Sequence, residues 1–318
     1  MFGALVAGNV IAWAWALAVT RGDPALLGAA ALAYVLGLRH AFDADHIAAI
    51  DNVTRSLSRR GAAPATVGLW FALGHSAVVV GACAAIALTL SRAPDWLRGF
   101  AVAGGVGGTL FSIVFLCAIA AINVAPIPRM LRAWRGEPRD TDDLDAGKAG
   151  PSGLLTRLLA GPLRAVRRPW HMLLVGFLFG LGFDTASEIG LLGLSAQAAA
   201  HTGARWSIMV LPALFTAGMS LADTADGVIM ARAYGWALER PTRRAGYNLT
   251  ITGVSVVAAI VVAALELGDL VRQQLALQGP VWRAIEWVDG HSGLVGCLIA
   301  AALIGCWAAA EAATWRRP

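Results

Sequence analysis

Apolar residues gather into eight long runs, at about 2–20, 25–50, 65–90, 100–124, 171–198, 206–232, 247–267 and 291–312. A helical span needs about 20 such residues to cross a hydrocarbon core of about 30 Å, and these runs are of that order. A transmembrane strand would be about ten residues long and alternate apolar with polar positions, which none of the runs does. The pattern predicts an all-α polytopic membrane protein with about eight transmembrane helices. The first run lacks a positively charged leader, so it reads as the first span rather than a cleaved signal. Residues 129–169 are polar, of mixed charge and rich in Gly, Pro and Asp. They read as a partly disordered cytoplasmic loop between four helices in 1–128 and four in 170–318.

Two weak echoes link the halves. Gly37-Leu38 leads to Phe42-Asp43 in the second run, and Gly180-Leu181 to Phe183-Asp184 in the fifth. Phe71-x-x-Gly74-His75-Ser76 in the third run matches Phe215-x-x-Gly218-Met219-Ser220 in the sixth. A displacement of three helices would turn the copies over across the bilayer, the inverted repeat of many secondary carriers.

Composition agrees with a bilayer protein: 58% of the 318 residues are hydrophobic, 14% are charged, and the mean hydropathy is +0.65. The net charge of +5 is almost all arginine, since Lys148 is the sole lysine. These arginines sit in short connections rather than in a nucleic-acid-binding patch. With the N-terminus inside, 18 basic residues fall on cytoplasmic segments and 6 outside, with Arg39 left in a span. The positive-inside rule then places both termini and the 129–169 loop in the cytoplasm, as in a cell inner membrane. Tryptophans such as Trp96, Trp134, Trp170 and Trp287 cluster at run ends, as an interfacial belt would. Cys83, Cys117, Cys297 and Cys306 lie in apolar runs without a CxxC and read as buried free thiols.

The second run carries Arg39-His40-Ala41-Phe42-Asp43-Ala44-Asp45-His46, then Asp51-Asn52. A charge at mid-bilayer costs about 2.5–3.5 kcal/mol, so such a cluster demands a use. On one continuous helix, His40, Asp43 and His46 would climb a single face, and two imidazoles with a carboxylate suit nickel, cobalt or zinc. Asp45 would point elsewhere and orient an imidazole or pair with Arg39. His75 is the candidate fourth contributor. Asp184 with Glu188, and Asp223 with Asp226, are like-charge pairs on two further runs that call for a cation or proton between them. His171, His201 and His291 lie at run ends and read as interfacial. Glu266, Asp269 and Asp289 are expected to be solvated in the last outer loop.

The motifs His40 through Ile47, Leu73-Gly74-His75-Ser76, Leu181 through Ile189 and Gly218 through Asp226 resemble, in order, those of the nickel/cobalt transporter family (NiCoT). The resemblance implies an eight-helix permease with both ends inside, taking up Ni²⁺ or Co²⁺ through an essential His/Asp cluster on the second helix. It implies no cofactor beyond the transported ion. Efflux members carry a His-rich central loop, and this loop has no histidine, which favours uptake over the alternative of an efflux permease. A metalloenzyme is the less favoured alternative: a zinc protease would want H-E-x-x-H, and no His-Glu pair occurs. A P-loop is absent too, because Lys148 is followed by Ala149. Imidazole and carboxylate ligands do not rank nickel above cobalt.

Overall fold

The computed structural model describes residues 1–21, 23–89, 95–135, 166–182, 209–239 and 245–315. Its helices are α1 (Phe2–Val19), α2 (Pro24–His40), α3 (Ala44–Arg59), α4 (Val67–Thr89), α5 (Asp95–Val124) and α6 (Ile127–Arg135). After a short 3₁₀ turn at Pro169–His171 come α7 (Met172–Phe179), α8 (Val210–Glu239), α9 (Ala245–Leu275), α10 (Pro280–Asp289) and α11 (Ser292–Trp315). No strand occurs among the described residues. Five described helices are long and apolar enough to cross a membrane, or six if α2 and α3 count as one broken span. The architecture is all-α and polytopic.

α1, α4 and α11 match the apolar runs closely, and three features depart from expectation. First, the second run is two helices. α2 starts cleanly, with Asp23 accepting from the backbone of Ala25 and Leu26 at 3.0 Å each and Pro24 at its first position. It ends at His40, where Phe42 N–H donates to Arg39 O and Asp43 N–H to His40 O, both at 2.9 Å. These three-residue bonds tighten and stop the helix, so His40, Asp43 and His46 do not share one continuous face. Second, Glu266 and Asp269 belong to α9 rather than to a loop. Asp269 is 6% exposed and accepts from Arg272 Nε at 2.9 Å and from Gln273, contacts that carry the helix past its apolar run. Third, residues up to Arg135 continue as the helix α6; the rest of the expected loop, up to 165, lies outside the described residues. All four cysteines are free, but Cys297 is exposed.

The chain forms two compact units, and both halves of the sequence contribute to each. Unit 1 holds Met1–Asp43, Gly68–Ser112 and Trp170–Ala225; unit 2 holds Ala44–Val67, Ile113–Pro169 and Asp226–Pro318.

Unit 1 is built on backbone-to-backbone approaches that only glycine permits. A Cβ on Gly37 would fall on the Phe215 carbonyl of α8, and one on Gly218 would fall on the Tyr34 carbonyl of α2. The same interlock recurs between α4 and α7, with Gly176 on the Phe71 carbonyl and Gly74 on the Leu173 carbonyl. Small residues allow membrane helices this proximity, with dispersion and Cα–H···O contacts replacing a hydrophobic drive. The counterpart of Gly37 is therefore Gly176, one helical turn before the Gly180 that the sequence echo pairs with it. Around these seams pack Ala30, Ala33, Ala72, Leu211, Leu214, Phe215 and Met219. Asn9 adds a polar tie, donating to Ala217 O at 3.3 Å and accepting from Tyr34 Oη at 2.9 Å.

In unit 2, α3 is the central element. It is buried nearly all round, from His46 through Arg55, and it packs on α9 and α11. Its polar residues are dealt with below.

Candidate metal site

The site in unit 1 starts at the end of α2. Ending the helix at His40 hands the carbonyls of its last turn to a tight turn, with Gly37, Arg39 and His40 O accepting from Ala41, Phe42 and Asp43 N–H, and irregular backbone of this kind is tolerated at membrane depth where protein encloses it. His40, Ala41 and Asp43 are each 2% exposed. The close approach of α8 at Gly37 places Phe215 beside the His40 ring, with centroids 5.6 Å apart.

His40 has a different partner at each ring nitrogen. Nδ1 lies 2.8 Å from Asp43 Oδ2, and Nε2 lies 3.0 Å from Nε2 of His75 on α4. A proton on Nδ1, held toward the carboxylate, leaves the Nε2 lone pair facing His75. Asp43 thus sits behind an imidazole rather than beside it, and the spacing of three that suggested a co-ligand also fits this orienting role. Asp43 is also 3.6 Å from Arg39, whose side chain is 45% exposed. Arg39 therefore pairs with Asp43.

His75 is 1% exposed, and Phe71 flanks its ring at 6.2 Å between centroids. Gly74 and Gly180 bring α4 and the end of α7 together around it. Asp223 of α8 is fully buried and interacts electrostatically with both His40 and Asp43. Unit 1 therefore assembles Arg39, His40, Asp43, His75 and Asp223, drawn from α2, α4 and α8 and the turn after α2.

His46 and Asp45 fall in unit 2, in the first turn of α3. His46 is completely buried, and its backbone N–H donates to Asp45 Oδ1 at 2.9 Å. Asp45 itself is half-buried. Asp226, three residues after Asp223 on α8, is half-buried. Asp184, Glu188 and His201 lie outside the described residues. His171 closes the 3₁₀ turn before α7, and His291 is exposed, its Nδ1 2.7 Å from Trp287 O; neither joins the cluster. Sequence reading missed the walls: Phe71 and Phe215 enter as an internal echo, yet they pack on the two imidazoles.

Comparison with known proteins agrees with this helical, histidine-bearing chain. The family described as high-affinity nickel-transport protein (NicO) matches residues 26–312. The high-affinity nickel transport protein of Cupriavidus necator is 45% identical over 311 residues, covering 96% of this chain and 88% of that protein. The hydrogenase nickel incorporation protein HupN of Bradyrhizobium diazoefficiens is 47% identical over 312 residues, covering 96% and 81%. The cobalt transport protein NhlF of Rhodococcus rhodochrous is 41% identical over 323 residues, covering 97% and 89%. No solved structure matches. A match over nearly the whole chain, to proteins named for transport rather than catalysis, accords with the multi-pass helical fold: the chain belongs to the high-affinity nickel-transport protein family.

Proposed function

We propose that the protein takes up Ni²⁺ or Co²⁺ into the cytoplasm as a secondary carrier, with Nε2 of His40 and His75 as a ligand pair and His46 completing the imidazole set. The observation that carries this reading is the 3.0 Å approach of two buried imidazole Nε2 atoms, one of them backed by Asp43. Metal–imidazole bonds of about 2.0–2.1 Å would span that separation at an N–M–N angle of about 94°. Near-right angles belong to square-planar or octahedral ions such as nickel and cobalt, whereas tetrahedral zinc asks for a wider bite. His46 lies six residues beyond His40 and just past the helix break, buried without exposure. Discontinuous helices supply ion sites of this kind in secondary carriers.

In this reading Asp223 and Asp226 on α8, with Asp184 and Glu188, line the path to and from the imidazoles. Asp43 holds the His40 tautomer, and Asp45 steadies the first turn of α3. The arginine distribution supports cytoplasmic termini and a cytoplasmic 129–169 loop in an inner membrane. A divalent ion then enters down an electrical gradient worth about 4.6 kcal/mol per 100 mV, over a thousandfold of accumulation without further coupling. The histidine-free loop favours uptake.

The test is accumulation of radiolabelled Ni²⁺ and Co²⁺ in cells carrying the protein, with Zn²⁺ and Mn²⁺ as competitors. Uptake is expected for wild type and is expected to vanish in His40→Ala and His75→Ala at normal protein levels. Metal-dependent depletion of the cell instead would reverse the direction. Undiminished uptake in both variants would remove the site.

A further inference from the structure

Unit 2 contains a buried polar network that the proposed transport site does not use. Arg55, in the fourth turn of α3, is 2% exposed and offers Nη2 to three oxygens on two other helices. These are Tyr234 Oη on α8 at 2.7 Å, Ile251 O on α9 at 2.8 Å, and Ser255 Oγ on α9. The Tyr234 hydroxyl donates in turn to Asp51 Oδ1, and Asp51 Oδ2 lies 3.9 Å from Arg55. The Tyr234 ring also covers the guanidinium, 4.6 Å from Cζ to the ring centroid. Alongside, Asn52 donates to Ala48 O at 2.8 Å and to Ser255 O at 3.4 Å, and accepts from Asn123 of α5 at 2.7 Å. Arg59 donates to Asn123 Oδ1 at 3.1 Å. Asp51, Asn52, Asn123 and Ser255 are each at most 1% exposed.

The chemistry of this network is that of a clamp. It ties α3 to α5, α8 and α9 by directional bonds, where apolar packing alone would let a helix turn about its axis. Arginine is suited to this because its planar fork and delocalised charge reach several acceptors and stack on an aromatic ring together, which a lysine cannot do. At 100° per residue, Arg55 lies nine positions from His46, on the opposite side of α3. The clamp therefore grips the back of the helix that carries His46 on its front. Slippage of α3 by one residue position would swing His46 by about 100°.

We propose that Arg55, Tyr234 and Asp51 form a positioning network that holds α3 in the rotation at which His46 can ligate the transported ion. This rests on the reading of His46 as a ligand. The network touches no ion; its effect is on how well the third imidazole is aimed, and supporting shells of this kind alter metal affinity by roughly ten- to a hundredfold.

The experiment is titration of purified full-length protein with Co²⁺, following the visible absorption bands, together with thermal unfolding of the metal-free protein. Tyr234→Phe keeps the ring over Arg55 and removes only the hydroxyl between Asp51 and Arg55. Its apparent dissociation constant for Co²⁺ is expected to rise roughly ten- to a hundredfold, with shifted bands. In a His46→Ala background the same substitution is expected to add no further loss. Ser255→Ala, a milder cut that removes one acceptor of Arg55, is expected to move both readouts the same way to a smaller extent, and it decides the matter if Tyr234→Phe does not fold. Wild-type affinity and spectrum in the folded variants, with only a lowered unfolding temperature, would overturn the proposal and leave a purely structural network. Should His46→Ala itself bind Co²⁺ as wild type does, the ligand reading fails first, and the two failures are thereby told apart.

Discussion

His40 and His75 stand 35 residues apart in the chain, yet their Nε2 atoms lie 3.0 Å from each other, buried between two phenylalanine rings. Two imidazoles this close can share one proton or one metal ion, and Asp43 lies 2.8 Å from the other ring nitrogen of His40. Asp43→Asn keeps the shape but loses the charge that fixes the Nδ1 proton. Its apparent affinity in Ni²⁺ uptake is expected to weaken roughly ten- to a hundredfold. Arg39→Ala removes an exposed partner of the same carboxylate and is expected to change uptake little, because exposed ion pairs are worth about 0–1 kcal/mol. Saturation curves of the two variants at matched protein level check this contrast.

Protons should compete with the substrate. Imidazole donates to a metal only when neutral, so each His–metal bond displaces a proton. Free imidazole side chains titrate near about 6.5. Uptake is therefore expected to fall as external pH drops below about 6, with the apparent KM rising before the maximal rate declines. His171→Ala and His291→Ala should follow the wild-type pH profile, and a profile that flattens in either would bring that residue into the pathway.

The carboxylates of α8 test whether charge or packing matters there. Asp223 is fully buried and within electrostatic reach of His40 and Asp43. Asp223→Asn is expected to reduce Ni²⁺ transport at least tenfold while leaving folded protein near normal, and Asp226→Asn, half-buried, is expected to do so less. Loss of folded protein on size-exclusion chromatography would assign Asp223 to structure instead, since stripping a buried network typically destabilises by about 3–5 kcal/mol.

Glycine substitutions should separate into two classes. Alanine at Gly37, Gly68 or Gly74 drives a methyl group into a neighbouring helix's backbone, and little folded protein is expected. Gly28 and Gly81 have nothing within 4 Å of an added Cβ, so alanine there is expected to be neutral or stabilising by up to about 1 kcal/mol. Thermal unfolding of the five purified variants reads this directly.

The orientation is open to a simple check. A cysteine at position 148, in a background whose four native cysteines are serine, should react with a membrane-impermeant maleimide only after the cells are opened. Labelling from outside intact cells would invert the topology and the direction inferred from it.

Hydropathy was enough to find α1, α4 and α11, because a span is defined by what lipid excludes. It could not find the break at Ala41–Asp43, because a three-residue turn of hydrogen-bonded backbone leaves no mark on an apolar average. The histidines were legible for the opposite reason: buried imidazoles and carboxylates are expensive enough to stand out. The approach of Asp43 to Nδ1 of His40 was not, since a spacing of three serves equally for two ligands on one ion or for a ligand and a neighbouring carboxylate. Tyr234 escaped notice altogether. It meets Asp51 across 183 residues, a contact that no local spacing announces.

The paired glycine seams bear on how such a carrier can move. Where α2 meets α8 and α4 meets α7, main chain rests on main chain, with no side chain between them to change rotamer and let the surfaces creep. A seam of that kind behaves like a toothed joint: it stays meshed or it separates. A third seam, where Gly68 of α4 lies on the Asp223 carbonyl of α8, meshes the two pairs with each other, so the four helices form one stiff block, and the give that admits and releases an ion is left to side chains such as His40 and His75.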